Sequence, residues 1–67
     1  MKYWYVYIIE KEQQLYVGIT TDLQNRMYQH GNPALLYSEK LKYKEQAANR
    51  EKQMKGWSRY KKREFIK

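Results

Sequence analysis

Apolar and polar positions alternate through the first twenty residues and then change period. Residues 3–9, YWYVYII, are dense in aromatic and β-branched side chains and predict a strand. Its two-residue period sends Trp4, Val6 and Ile8 to one side and Tyr5, Tyr7 and Ile9 to the other. EKEQQ predicts a polar turn, and LYVGIT (15–20) resumes the strand pattern, so the two segments form an antiparallel hairpin. In the second strand Leu15, Val17 and Ile19 share one face, while Tyr16, Gly18 and Thr20 share the opposite one.

After Thr20 the spacing becomes helical. Thr21 with Gln24 has the spacing of a capping box, Asp22 suits the first turn, and Leu23 and Met27 give a buried stripe. Gly31 followed by Asn32-Pro33 ends this helix after His30. ALLYS (34–38) predicts a third strand, and Tyr43 to Trp57 is helical in composition, with Gly56 as its break or cap. Ser58 caps a final basic helix, SRYKKREFIK. The order β-β-α-β-α-α predicts an α+β fold: a small three-stranded antiparallel sheet flanked by helices, one domain over residues 1–67.

Composition narrows the class. A chain of 67 residues is near the lower limit for independent folding and buries only about 60% of its unfolded surface. There is no cysteine, and one histidine makes no structural zinc site. No apolar run approaches the ~20 residues of a membrane span, and YWYVYII lacks a cleavage pattern, so a cytoplasmic protein with no membrane partner is expected. The net charge of +7 is carried entirely by residues 34–67, because basic and acidic residues balance over 1–33. A tyrosine-rich neutral half joined to a strongly basic half suits a polyanion, most simply nucleic acid.

Three groups of residues stand out for chemistry. Glu51 falls inside the apolar stripe that Tyr43, Ala47, Met54 and Trp57 mark on the second long helix. A carboxylate there needs a partner, either a metal ion or Lys55 four residues on. Glu39, Glu45 and Glu64 have no comparable placement and read as solvated. Arg26 and His30, one turn apart, project from the same side of the first helix. A guanidinium grips phosphate in two-pronged fashion and an imidazole relays protons, although Arg26 as a surface side chain and His30 as a helix cap are the plainer accounts. Eight tyrosines form the third group, of which Tyr5, Tyr7 and Tyr16 share a hairpin face with the gap at Gly18. Phenols orient or deprotonate a water and stack on bases; aromatic packing is the expectation for Tyr3, Tyr37 and Tyr43.

The ordered set YVY (5–7), YVGIT (16–20), TDL (21–23), Arg26, His30 and REKQMKGWSRYKK (50–62) resembles the GIY-YIG endonuclease superfamily. It is most similar to the small single-domain proteins like the N-terminus of UvrC. The resemblance implies a catalytic set of Tyr7, Tyr16, Arg26, His30 and Glu51, with Glu51 holding a single Mg²⁺ or Mn²⁺ ion and no organic cofactor. In the implied reaction Arg26 neutralises charge on the phosphoryl oxygens, and Tyr7 or Tyr16 positions and deprotonates the attacking water. The implied function is a metal-dependent DNA endonuclease acting on damaged, branched or single-stranded DNA, in the manner of repair enzymes. Arg50, Lys52, Lys55, Arg59, Lys61, Lys62 and Arg63 are the expected contacts to the DNA backbone. Only Gly31, Asn32 and Pro33 stand where family members carry a Gly- and Lys-rich loop, and no asparagine follows Glu51. These reductions motivate the alternative, a non-catalytic nucleic-acid-binding module using the same basic and aromatic surface.

Overall fold

The computed structural model describes residues 2–66. Its elements are β1 (Trp4–Lys11), β2 (Gln14–Thr20), α1 (Leu23–Gln29), β3 (Ala34–Leu41), α2 (Lys44–Lys55) and α3 (Arg59–Ile66), the expected α+β order. The three strands form one antiparallel sheet in the order β2-β1-β3, so β2 and β3 are both edges.

The predicted faces of the hairpin hold. Val6 and Ile8 are fully buried against Ala47 and Met54 of α2, and Leu15, Val17 and Ile19 pack on the same cluster. Burying each such side chain contributes about 1.5–3 kcal/mol, which makes this layer the main source of stability. On the reverse face Tyr7 and Ile9 are also buried, at 4% and 0% exposure. The β1–β3 register slips between Ile8 and Ile9: Ile8 faces Tyr37 while Ile9 faces Leu35, leaving Leu36 as the extra residue of a bulge. Tyr37 therefore joins the α2 side, and Leu35 lies on the side of Ile9.

Several boundaries differ from expectation for identifiable reasons. The polar turn is only Glu12-Gln13, both with positive φ (53° and 66°), so the strands run on to Lys11 and from Gln14. This two-residue geometry follows the twist of the strands, although neither residue is a usual occupant. The cap of α1 is Asp22 rather than Thr21: its Oδ1 accepts from the Asn25 N–H at 3.0 Å, while Thr20 Oγ1 accepts from the Asp22 N–H at 3.0 Å. Leu23 and Met27 are half-buried. His30 closes the helix, and Gly31 and Asn32, at φ 83° and 55°, turn the chain into β3. That strand continues three residues beyond the expected Ser38. Gly56 caps α2, and Ser58 Oγ accepts from the Lys61 N–H at 3.1 Å to start α3, both as expected. Tyr43, predicted for the buried stripe, is 57% exposed because it precedes α2 and lies outside the layer.

Candidate functional site

Tyr7 sits at the centre of β1 opposite Gly18 on the edge strand β2. With no Cβ at Gly18, the Tyr7 ring lies across that position, and an added Cβ would overlap its hydroxyl. The phenol thus reaches over an edge of the sheet, where groups from the layers on both faces can approach it. From α1, His30 Nε2 stands 3.4 Å from the Tyr7 hydroxyl, with the two rings edge-on. Arg26, one turn earlier, acts on the same phenol electrostatically, as do Glu51 and Lys55 of α2. Burial pushes the Tyr7 hydroxyl above its ordinary pKa; Arg26 opposes this shift, Glu51 adds to it, and Lys55 opposes it. Tyr7 is therefore a neutral phenol at neutral pH, poised to donate toward His30.

Tyr16 belongs to a neighbouring region. It is 45% exposed, faces Ile9 in the register, and donates to Gln14 Oε1 at 3.3 Å. Tyr16 and His30 nonetheless line one cleft of about 270 Å³, completed by Lys11 and Glu12 from the hairpin turn. His30 joins the two tyrosines, with one ring against Tyr7 and a wall shared with Tyr16. Lys11 and Glu12 escaped sequence reasoning because their approach depends on the tight turn between the strands. A larger hollow of about 400 Å³, lined by Asp22, Gln24, Asn25, Tyr28 and Asn32, contains none of the expected site residues. It follows the side of α1 turned away from Arg26 and His30, as the helical spacing requires.

Of the two sequence accounts of Glu51, the structure shows the pairing with Lys55. Its Oε2 pairs with Lys55 Nζ at 3.3 Å, and its side chain is 23% exposed on α2. It is the only carboxylate among the charges acting on the Tyr7 phenol. Among the described residues no three His, Cys, Asp or Glu side chains cluster as a protein-built metal cage. A lone carboxylate fits the one hard cation that completes its shell with water and substrate phosphates, which is the habit of Mg²⁺.

The basic segment is less free than its sequence suggests. Arg50 is tied to Glu39 through Nε (3.1 Å to each carboxylate oxygen) and Nη2 (2.9 Å), and its Nη1 donates to Gln53 Oε1 at 2.8 Å. Arg59 donates to the Gln13 carbonyl at 2.7 Å, and Arg63 pairs with Glu10 at 3.0 Å. Lys61 lies over the Trp57 ring at 4.9 Å. Lys52 and Lys62 have no carboxylate partner among the described residues, and Arg26 has none either. Glu39, expected to be solvated, is instead the acceptor for Arg50 and for the Tyr37 hydroxyl (2.6 Å). The pairing joins β3 to α2 across eleven residues, so no local spacing announced it.

Comparison with known proteins bears on the first half of the chain. Residues 3–35 match the model of the GIY-YIG catalytic domain, bearing out the resemblance read from the sequence. Tyr7, Tyr16, Arg26 and His30 fall inside the matched segment, and Glu51 lies beyond it. The fold is similar to the solution NMR structure of the UPF0213 protein BH0048 from Bacillus halodurans, with TM-score 0.65 and 24% identity over 98% of this chain and 83% of that one. No curated protein matches the chain significantly. No helix among the described residues is long and apolar enough to cross a membrane.

Proposed function

Because the chain carries the GIY-YIG catalytic-domain segment over residues 3–35, we propose that it is a nuclease, specifically a DNA endonuclease dependent on one divalent metal ion. The observation that carries this reading is the Tyr7 hydroxyl 3.4 Å from His30 Nε2 at the sheet edge, with the charges of Arg26 and Glu51 acting on that phenol. Tyr7, rather than the outlying Tyr16, orients the attacking water. Its hydroxyl accepts the water proton as its own proton passes to His30 Nε2, so no free phenolate is needed at neutral pH. Arg26, which has no carboxylate partner among the described residues, binds the non-bridging oxygens and offsets the charge that builds on them. Glu51 would hold Mg²⁺ or Mn²⁺, which when bound supplies Lewis-acid polarisation of the phosphodiester. Tyr16, on the other wall of the His30 cleft, contacts the substrate beside the reacting phosphate. Lys52, Lys61 and Lys62 are the members of the basic segment left to follow the backbone. Action on damaged, branched or single-stranded DNA in a cytoplasmic repair setting is the biological form of this proposal.

The test is cleavage of labelled DNA of several structures with Mg²⁺ or Mn²⁺, comparing wild type with Glu51→Ala and Arg26→Ala. Each substitution is expected to lower the rate at least about 10²-fold, the usual cost of losing an electrostatic contact to a transition state. Wild-type protein that cleaves nothing, or variants as active as wild type, would overturn the proposal. The Glu51–Lys55 pair at 3.3 Å favours the second reading, a binding module without catalysis. That reading expects Glu51→Gln to leave DNA affinity unchanged and no divalent ion to promote cleavage.

A further inference from the structure

Three of the cations that have no carboxylate partner among the described residues lie at the opposite end of the sheet from the hairpin turn. There the start of β1, the end of β3 and the start of α2 meet, because Trp4 pairs with Leu41 and Tyr5 with Lys40. The sequence KLKYK (40–44) supplies three lysines at alternate positions, and each ammonium lies over an aromatic ring. Lys40 is 4.1 Å from the centre of Tyr3, Lys42 is 5.6 Å from Tyr43, and Lys44 is 5.5 Å from Trp4. None of the three has a carboxylate partner among the described residues. The adjacent Glu39 is committed to Arg50, which leaves Glu45 as the acid nearest in sequence.

Three positive charges at one end of the sheet, none with a carboxylate partner among the described residues, favour a polyanion. The rings add a second requirement. Tyr3 and Tyr43 are 37% and 57% exposed, so each ring keeps surface beyond its lysine contact on which an unpaired base can stack, whereas the bases of a duplex are already stacked on one another. We propose that this end of the molecule is a single-strand DNA anchor, in which Lys40, Lys42 and Lys44 take backbone phosphates and Tyr3 and Tyr43 stack on unpaired bases. Tyr3, Tyr5 and Tyr7 share one face by strand alternation, which sets the anchor about 13 Å along β1 from the Tyr7 hydroxyl region. A strand held here therefore extends over the sheet toward the candidate catalytic cleft. The inference rests on the nuclease reading only for what happens at that cleft.

The experiment measures binding alone, by fluorescence anisotropy of a labelled single-stranded oligonucleotide and its duplex, with the full chain in EDTA from 50 to 200 mM salt. The triple variant Lys40→Gln/Lys42→Gln/Lys44→Gln is expected to lower the log–log salt slope for the single strand by about 2, at about 0.7 per phosphate contact. Tyr3→Ala/Tyr43→Ala is expected to weaken single-strand binding at least about tenfold while leaving the duplex within about twofold. Tyr3→Phe/Tyr43→Phe keeps the rings and is expected to bind as wild type, which separates stacking from damage to the fold. A single-strand slope unchanged by the lysine substitutions would overturn the anchor, as would equal losses on both DNAs in the tyrosine variant. Failure of the chain to cleave any DNA would sink the nuclease reading and leave these binding results standing.

Discussion

A single missing methyl group decides where the central phenol goes. Gly18 is not needed for its backbone, since its φ lies outside the positive region. It is needed for space, because a Cβ there would overlap the Tyr7 hydroxyl and stand 2.5 Å from Cζ. The obstruction is the free end of a ring rather than backbone, so Gly18→Ala displaces the phenol more than it disturbs the fold. The displacement separates Tyr7 from His30, and misplacing a reacting group by about 1 Å costs up to about 10²-fold in rate. The expected outcome is a fall of that order in DNA cleavage per folded molecule, with stability lowered by about 1–3 kcal/mol as the buried ring is displaced. A large loss of midpoint with the residual activity per folded molecule unchanged would show instead that Gly18 serves packing alone.

Among the elements, the hairpin shows what the chain pattern discloses and what it hides. Its faces were legible because strand alternation has a fixed period, and Val6, Ile8, Val17 and Ile19 turn inward accordingly. The two-residue turn was not, because Glu12-Gln13 lacks the Asn-Gly chemistry that marks such a turn. The end of β3 was hidden in the same way, since Glu39 and Lys40 interrupt an apolar run and owe their placement to Arg50 and Tyr3. The tyrosines, Arg26 and His30 were readable as an ordered motif, whereas the preference for Tyr7 over Tyr16 depends on how a ring crosses Gly18. The left-handed conformations of Glu12 and Gln13 carry a cost that glycine does not pay. Gln13→Gly is therefore expected to raise stability by about 0.5–1 kcal/mol, partly offset by the greater freedom of glycine in the unfolded chain. For a domain of this size the gain appears as a thermal midpoint higher by roughly 2–8 °C. A lower midpoint would mean that the Arg59 contact to the Gln13 carbonyl fixes the turn by itself.

At the scale of the whole molecule, a small core needs its layers fastened together, and the fastening carries a pH dependence. Among the described residues, Val6, Ile8, Ala47 and Met54 form the fully buried cluster between sheet and helices. Beside it Arg50 of α2 grips Glu39 of β3, Tyr37 donates to the same carboxylate, and Phe65 of α3 stands edge-on to Tyr37 and near Trp57. Burial alone would raise the Glu39 pKa, but the hydrogen bonds from Arg50 and Tyr37 outweigh it, so the folded carboxyl titrates below its ordinary 4.5. Folding thus favours the ionised form. The pair's contribution is fully present above the ordinary glutamate range and is lost as pH falls through the depressed folded value. Glu39→Gln keeps the shape but removes the charge, and is expected to cost about 1–3 kcal/mol at pH 7, as for a lost hydrogen bond to a charged group. Denaturant unfolding from pH 7 downward checks this. The stability difference between wild type and Glu39→Gln should close as the wild-type carboxyl protonates, because both side chains are then neutral. Two parallel stability curves would overturn this account and leave Glu39 as a packing contact between sheet and helix.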